Sequence, residues 1–141
     1  MSFFVAVTIF FTTFAAILNT KDKMKRILIA EDNDSNFLLM TYVLRDHYEV
    51  LRAVNGRDAV MMVENQPVDL VLMDMKMPYI NGLEATRQIK EKHPELPVFM
   101  VTANVFDVDQ ESAIEAGCDV FIPKPIRREA FIEKIKEFIG E

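Results

Sequence analysis

The sequence predicts an α/β domain: a five-stranded parallel sheet with five helices. Three observations carry that expectation. From Arg26 onward, short apolar runs alternate with segments of helical period, the pattern of strands joined by crossover helices. Residues 69–73 (DLVLM) are short, apolar and bounded by Pro67 and Pro78, as suits a central strand buried on both faces. The 141 residues amount to about one domain, and 50% apolar with 27% charged residues is a globular composition, neither disordered nor fibrous.

Taken in order, residues 26–30 (RILIA) form the first strand. A helix follows, capped by Asp34 or Ser35, with Phe37, Met40 and Leu44 one turn apart. Residues 48–54 (YEVLRAV) alternate enough for a second strand at an edge, ended by Asn55-Gly56, and helix returns over 58–65. After the central strand, residues 82–92 (GLEATRQIKEK) are rich in helix formers, and Pro94 and Pro97 close that helix before a fourth strand at 98–102 (VFMVT). Residues 107–116 give a more polar helix that Gly117 can stop in a left-handed conformation. The fifth strand is 120–122, and the last helix, 126–139, sets Phe131, Ile135, Phe138 and Ile139 on one core-facing stripe.

Charge narrows the function classes. A net charge of −6 argues against a phosphate-backbone grip, which needs clustered Lys and Arg, so no direct nucleic-acid partner is expected. The single cysteine, Cys118, excludes an internal disulfide framework and a cysteine zinc cluster, and suits a reducing, cytoplasmic setting. Lacking a basic neighbour in sequence, it reads as a small buried hydrophobe rather than a reactive thiol.

Residues 1–20 break the pattern. They carry no charged side chain and five of the eleven Phe, and the next six residues (KDKMKR) hold four basic ones. Without residues 1–23, which include Lys21, Asp22 and Lys23, 14 basic and 21 acidic residues leave a charge of −7. Residues 3–18 are slightly short for a bilayer span of about 20 residues and contain three Thr. Three readings stay open: a membrane anchor holding the domain at the cytoplasmic face, the tail of a preceding domain or a misassigned start, and an extra helix on the domain. Met24 opens MKRILIAEDN, which already reads as a beginning, so the domain is placed at residues 24–141.

Ligands of open parallel sheets bind beyond the carboxyl ends of the strands. Those ends carry Glu31-Asp32, Asp74, Thr102-Ala103 and Lys124-Pro125. Adjacent strands lie about 5 Å apart, so these residues can gather at one rim. Three crowded carboxylates repel one another unless a cation neutralises them, and hard oxygen ligands in that number suit Mg²⁺. Lys124 adds a positive charge where a phosphoryl group could arrive, and a carboxylate such as Asp74 can act as nucleophile and form an acyl phosphate. Taken singly, each residue has a blander role: helix cap, turn residue, packed β-former or solvated charge. Their joint placement at strand ends favours a site.

The segments AEDN, LMDMKMP, NGLEATR, MVTAN and FIPKP, each at the expected place in that order, resemble a response regulator receiver domain, the CheY-like module of two-component signalling. The resemblance covers residues 24–141. It implies a doubly wound sheet in strand order 2-1-3-4-5, the order shared by flavodoxin and CheY. It also implies a cis Lys124-Pro125 bond. Asp74 would accept a phosphoryl group from a phosphohistidine on a histidine kinase or histidine phosphotransfer domain. Glu31, Asp32, Asp74 and the backbone carbonyl of Lys76 would hold Mg²⁺. Thr102 would bond one phosphoryl oxygen and Lys124 another, Lys124 approaching Asp74 at rest, while Thr102 and Phe121 would form the switch that changes the surface around the fourth helix, fifth strand and fifth helix. Asn36, Leu39 and Ile126 would meet the donor's helical bundle. The domain would catalyse only its own phosphorylation and dephosphorylation, either standing alone or as the receiver of a hybrid sensor histidine kinase, with a downstream effector the sequence does not name.

The sequence departs from the family at Glu31, where Asp is commoner and the longer arm can reach a metal through water, and at Asn81, where many relatives have Asp. Lys76 and Asn104, two residues after Asp74 and Thr102, occupy positions that in that family tune acyl-phosphate lifetime. His47 and His93 lie in polar loop or helix-end surroundings and are expected to be exposed, so neither reads as the donor histidine. One rival is a Mg²⁺-dependent aspartyl-phosphate phosphatase of the haloacid dehalogenase kind. That enzyme wants its nucleophile after the first strand and a second Asp two positions on, where this chain has Lys76 after Asp74. Another is a phosphorylation-independent interaction module, which has no need of the acidic set.

Overall fold

The structure, a computed structural model, describes residues 24–103 and 107–140. The elements are β1 (Arg26–Ala30), α1 (Asp34–Leu44), β2 (Glu49–Ala53), α2 (Gly56–Asn65), β3 (Leu70–Asp74), α3 (Gly82–Lys92), β4 (Val98–Thr102), α4 (Asp107–Glu115), β5 (Val120–Pro123) and α5 (Arg128–Ile139). All strand pairs are parallel, in the order β2-β1-β3-β4-β5. The sheet order therefore reverses direction between β1 and β3, and the carboxyl ends on either side of that point share one rim.

Strand alternation divides the core. Ile27, Ile29, Leu70, Leu72, Phe99 and Val101 face α1 and α5, where Met40, Leu44, Phe131 and Ile135 meet them. Leu28, Ala30, Val71, Met73, Val98 and Met100 face the other way, onto Ala59 and Val63 of α2, Ala85 and Ile89 of α3, and Ala113 of α4. Central strands buried on both faces read as continuous apolar runs, and β4 is buried at all five positions. Edge strand β2 is more open, fully burying Ala53 alone.

Asparagines set the helix starts. Asn33, Asn55 and Asn81 each accept a bond from the backbone N–H three residues on, at 2.9, 2.7 and 3.0 Å. The first cap is thus Asn33 rather than Asp34 or Ser35, and α2 begins at Gly56, two residues before the expected start. Strand β3 is shifted by one residue from 69–73 because Asp69 turns its carboxylate onto the Arg26 N–H at 2.7 Å, closing the approach to the sheet. Helix α5 starts at Arg128 rather than 126 because Arg127 is still extended, at φ −90° and ψ 112°. On its stripe Phe131 and Ile135 are buried, while Phe138 is 41% exposed and meets Phe99 edge to face at 5.0 Å. Gly117 has the left-handed φ of 100° expected of a helix stop, and Lys124-Pro125 is cis.

Neither histidine is fully exposed. His93 caps α3 and meets Glu64 at 3.2 Å, and His47 lies half-buried beside Tyr48. Cys118 is half-buried, and burial, with Asp119 beside it, raises its thiol to about 11 against the opposing charge of Lys90, so it stays unreactive. No helix among the described residues is long and apolar enough to cross a membrane. The readings of residues 1–23, and of Asn104, lie outside the described residues.

Tyr79, in the β3–α3 loop, has φ 66° with its side chain 85% exposed. A left-handed backbone costs a bulky L-residue about 1–2 kcal/mol, and Asn tolerates it better. Tyr79→Asn is expected to stabilise the domain by about 1 kcal/mol, raising the thermal midpoint by about 4 °C. An unchanged or lowered midpoint in a melting experiment contradicts this.

Candidate functional site

Glu31 follows β1 directly, and its N–H continues the ladder to Ala53 O at 3.0 Å. Its side chain is fully buried, an uncommon place for a carboxylate without partners. Glu31 has them: Lys124 Nζ donates to Oε1 at 3.1 Å, the Asn33 N–H to Oε2 at 3.4 Å, and its carboxyl is hydrogen-bonded to that of Asp74. Asp74 ends β3 after the buried run Leu70–Met73, and the Lys76 N–H reaches its Oδ1 at a long 3.5 Å. Oxygens of Glu31, Asp32 and Asp74 all lie within 4.8 Å of one another, Asp32 on the exposed side.

Thr102 closes β4 and is 2% exposed, and its carbonyl accepts from the Lys124 N–H at 2.8 Å, tying the β4 and β5 ends together. The ion pair of Lys124 goes to Glu31, and its charge acts on Asp74 as well. Glu31, one methylene longer than Asp, touches both Asp74 and the ammonium. Phe121 packs against the α2–α4 side of the core. It also lines a groove of about 390 Å³ with Pro125 and Phe131 between β5 and α5. Asn36, Leu39 and Ile126 come together with Met40, Lys124 and Pro125 around a groove of about 370 Å³ beside the acidic rim.

The electrostatics follow from crowding. Burial raises Asp74 to about 7, helped by the hydrogen bond and charge of Glu31 and opposed by Lys124 and the Lys76 N–H. Burial also pushes Glu31 up. It ends below its ordinary value because the bonds to Asp74 and Lys124, the Lys124 charge and the Asn33 N–H outweigh burial. Burial and the Glu31 carboxylate thus favour a proton on Asp74, while Lys124 favours the ionised form of Glu31. One ammonium against three carboxylates leaves excess negative charge among hard oxygen donors, a set that fits a small divalent cation better than a further ammonium.

Sequence reasoning missed how the β3–α3 loop is held. A Cβ at Gly82 would lie 2.1 Å from the Asp74 carbonyl oxygen, and one at Gly56 would lie 2.0 Å from that of Ile80. Helix α3 and the start of α2 therefore abut the loop backbone directly. The NG pairs at 55–56 and 81–82 were a signal for it, though they also suit a plain turn and a helix opening. Asn81, a departure from the family, is the α3 cap. Arg52 carries no such signal and was missed entirely.

The model of the response regulator receiver domain matches residues 27–136. The chain belongs to the response regulator receiver family. It is 36% identical over 120 residues to the polar-differentiation response regulator DivK of Brucella anthropi, covering 83% of this chain and 98% of that one. Among solved structures, it is similar to the receiver domain of a sensor histidine kinase from Pseudomonas aeruginosa, with a magnesium ion coordinated in its active-site cleft. That match has a TM-score of 0.78 and 31% identity, covering 84% of this chain and 99% of the other. The response regulator TrrA from Thermotoga maritima, in complex with Mg²⁺ and BeF, matches with a TM-score of 0.75 and 28% identity over 82% of this receiver and 99% of TrrA. This receiver is thus a phosphoacceptor signalling domain of two-component systems.

Proposed function

We propose that Asp74 is the phosphoacceptor and that the donor is a phosphohistidine on a histidine kinase or histidine phosphotransfer domain. The observation that carries this reading is the convergence of Glu31, Asp32, Asp74 and Lys124 at one rim of the sheet. An Asp74 carboxylate oxygen forms a P–O bond as the donor's P–N bond breaks, and the imidazole nitrogen keeps the electron pair. Lys124 releases part of its hold on Glu31 and meets a phosphoryl oxygen, and the Thr102 hydroxyl meets another. Glu31, Asp32, Asp74 and the Lys76 carbonyl would hold Mg²⁺, which when bound would neutralise charge on the phosphoryl oxygens. Water later attacks phosphorus, the P–O bond to Asp74 breaks, and inorganic phosphate leaves with the Asp74 carboxylate restored.

The donor bundle docks on Asn36, Leu39 and Ile126, where the groove beside Lys124 opens. Thr102 and Phe121 then rearrange, altering the β5–α5 groove and presenting a different surface to an effector. The setting is cytoplasmic, with tethering through residues 1–20 open. The same reaction serves a stand-alone regulator and the receiver of a hybrid kinase, and the similarity to DivK and to a sensor-kinase receiver supports each equally. Incubation of the full chain with acetyl phosphate and Mg²⁺ should add about 80 Da, one phosphoryl group, and Asp74→Ala should abolish the gain. A gain that survives the substitution would falsify the assignment.

A further inference from the structure

The acidic loop between β1 and α1 is gripped from the neighbouring edge strand by one side chain. Arg52 of β2 donates through Nε to the Glu31 carbonyl at 3.3 Å and through Nη2 to the Asp32 carbonyl at 3.4 Å. The same Nη2 lies 2.7 Å from Asp34 Oδ1, and the guanidinium carbon sits 4.6 Å from the centre of the Phe37 ring. With the Glu31 N–H already bonded to Ala53 O, β2 holds residue 31 by both its amide and its carbonyl. Only a planar fork with several donors spans two consecutive carbonyls and a carboxylate while stacking on an aromatic face.

We propose that Arg52 is a positioning residue for the cation site: it fixes the backbone that presents Glu31 and Asp32. This rests on the Mg²⁺ reading above. Two effects of the guanidinium oppose each other. Its charge repels a nearby divalent cation, so on Coulomb grounds alone its removal should tighten Mg²⁺ binding. Its hydrogen bonds restrict the loop, so their loss should weaken binding, as loss of the groups that orient metal ligands generally does. Asp34, 2.7 Å from the same guanidinium, already offsets its charge, while the bonds to the two carbonyls are local and directional, so positioning prevails.

The test is calorimetric titration of Mg²⁺ into the full chain, which reads binding without turnover. Arg52→Gln is expected to raise the dissociation constant about tenfold, and Arg52→Lys, which keeps the charge and loses the fork, nearly as much. Leu51→Ala weakens the same strand from its other face and should stay within about twofold of wild type at a temperature where circular dichroism shows all variants folded. If Arg52→Gln does not fold, Arg52→Lys alone decides. Binding by either Arg52 variant as tight as wild type or tighter, or an equal loss in Leu51→Ala, overturns the proposal while leaving the metal reading intact. No uptake by wild type overturns both.

Discussion

Gly82→Ala is expected to destabilise the domain by about 3 kcal/mol, the upper part of the range for overpacking a filled interior, and to remove phosphoryl acceptance. A methyl group there would sit 2.1 Å from the Asp74 carbonyl oxygen and 2.9 Å from both the Asp74 carbonyl carbon and the Met75 Cα. Every obstructing atom is main chain, so no side chain can rotate away. Either α3 withdraws, breaking the Gly82 N–H bond to Met75 O at 3.1 Å, or the end of β3 shifts and carries the Asp74 carboxyl out of reach of Glu31. Denaturant unfolding of the variant against wild type measures the first consequence, and the mass gain with acetyl phosphate the second. Wild-type stability together with full labelling would show that the close approach of α3 is not a requirement.

Much of this architecture was legible because each level of the sequence agreed with the next. Runs such as RILIA and VFMVT suit strands buried on both faces of a parallel sheet, and β1, β4 and α3 fall where they were read. The carboxylates could be assembled on paper because strand ends share a rim, and the structure brings Glu31, Asp32, Asp74 and Lys124 together there. What escaped depends on contacts remote in sequence. Arg52 reaches Glu31 and Asp32 across 21 and 20 residues, and nothing in the alternation of YEVLRAV marks it from any other solvated strand arginine. That Lys124 also pairs with Glu31 escaped for a related reason: motif order does not say which of several neighbouring carboxylates an ammonium meets. The cap of α1 was misplaced because Asn33 and Asp34 are both good caps, and which one adopts the extended backbone is settled by the turn.

The second large effect is a pH dependence of metal binding that Glu31 controls. In the metal-free receiver Asp74 is raised to about 7, first by burial and then by Glu31, so at pH 6 its carboxyl is mostly protonated and at pH 8 mostly ionised. A cation must displace that proton. Apparent Mg²⁺ affinity should therefore rise about tenfold between pH 6 and pH 8, with close to one proton released per ion at pH 6 and almost none at pH 8, as linkage requires. The signs for stability follow the same logic. Because the folded value of Asp74 lies above its ordinary 3.8, this group's contribution is fully present below that value and is lost as pH rises through about 7 without metal. Glu31, lowered from 4.5, contributes in the opposite sense, above that value, and its share is lost in acid. Glu31→Gln deletes one carboxylate from the set and removes the charge that helps hold the proton on Asp74. Mg²⁺ binding should then be at least about tenfold weaker, and the remaining pH dependence should move to lower pH. Calorimetry at pH 6, 7 and 8, in two buffers of different ionisation enthalpy, separates affinity from proton release. Wild-type affinity that is flat across this range would mean that Asp74 and Glu31 do not share a proton, and the crowding of buried carboxylates would no longer be an argument for a cation at this rim.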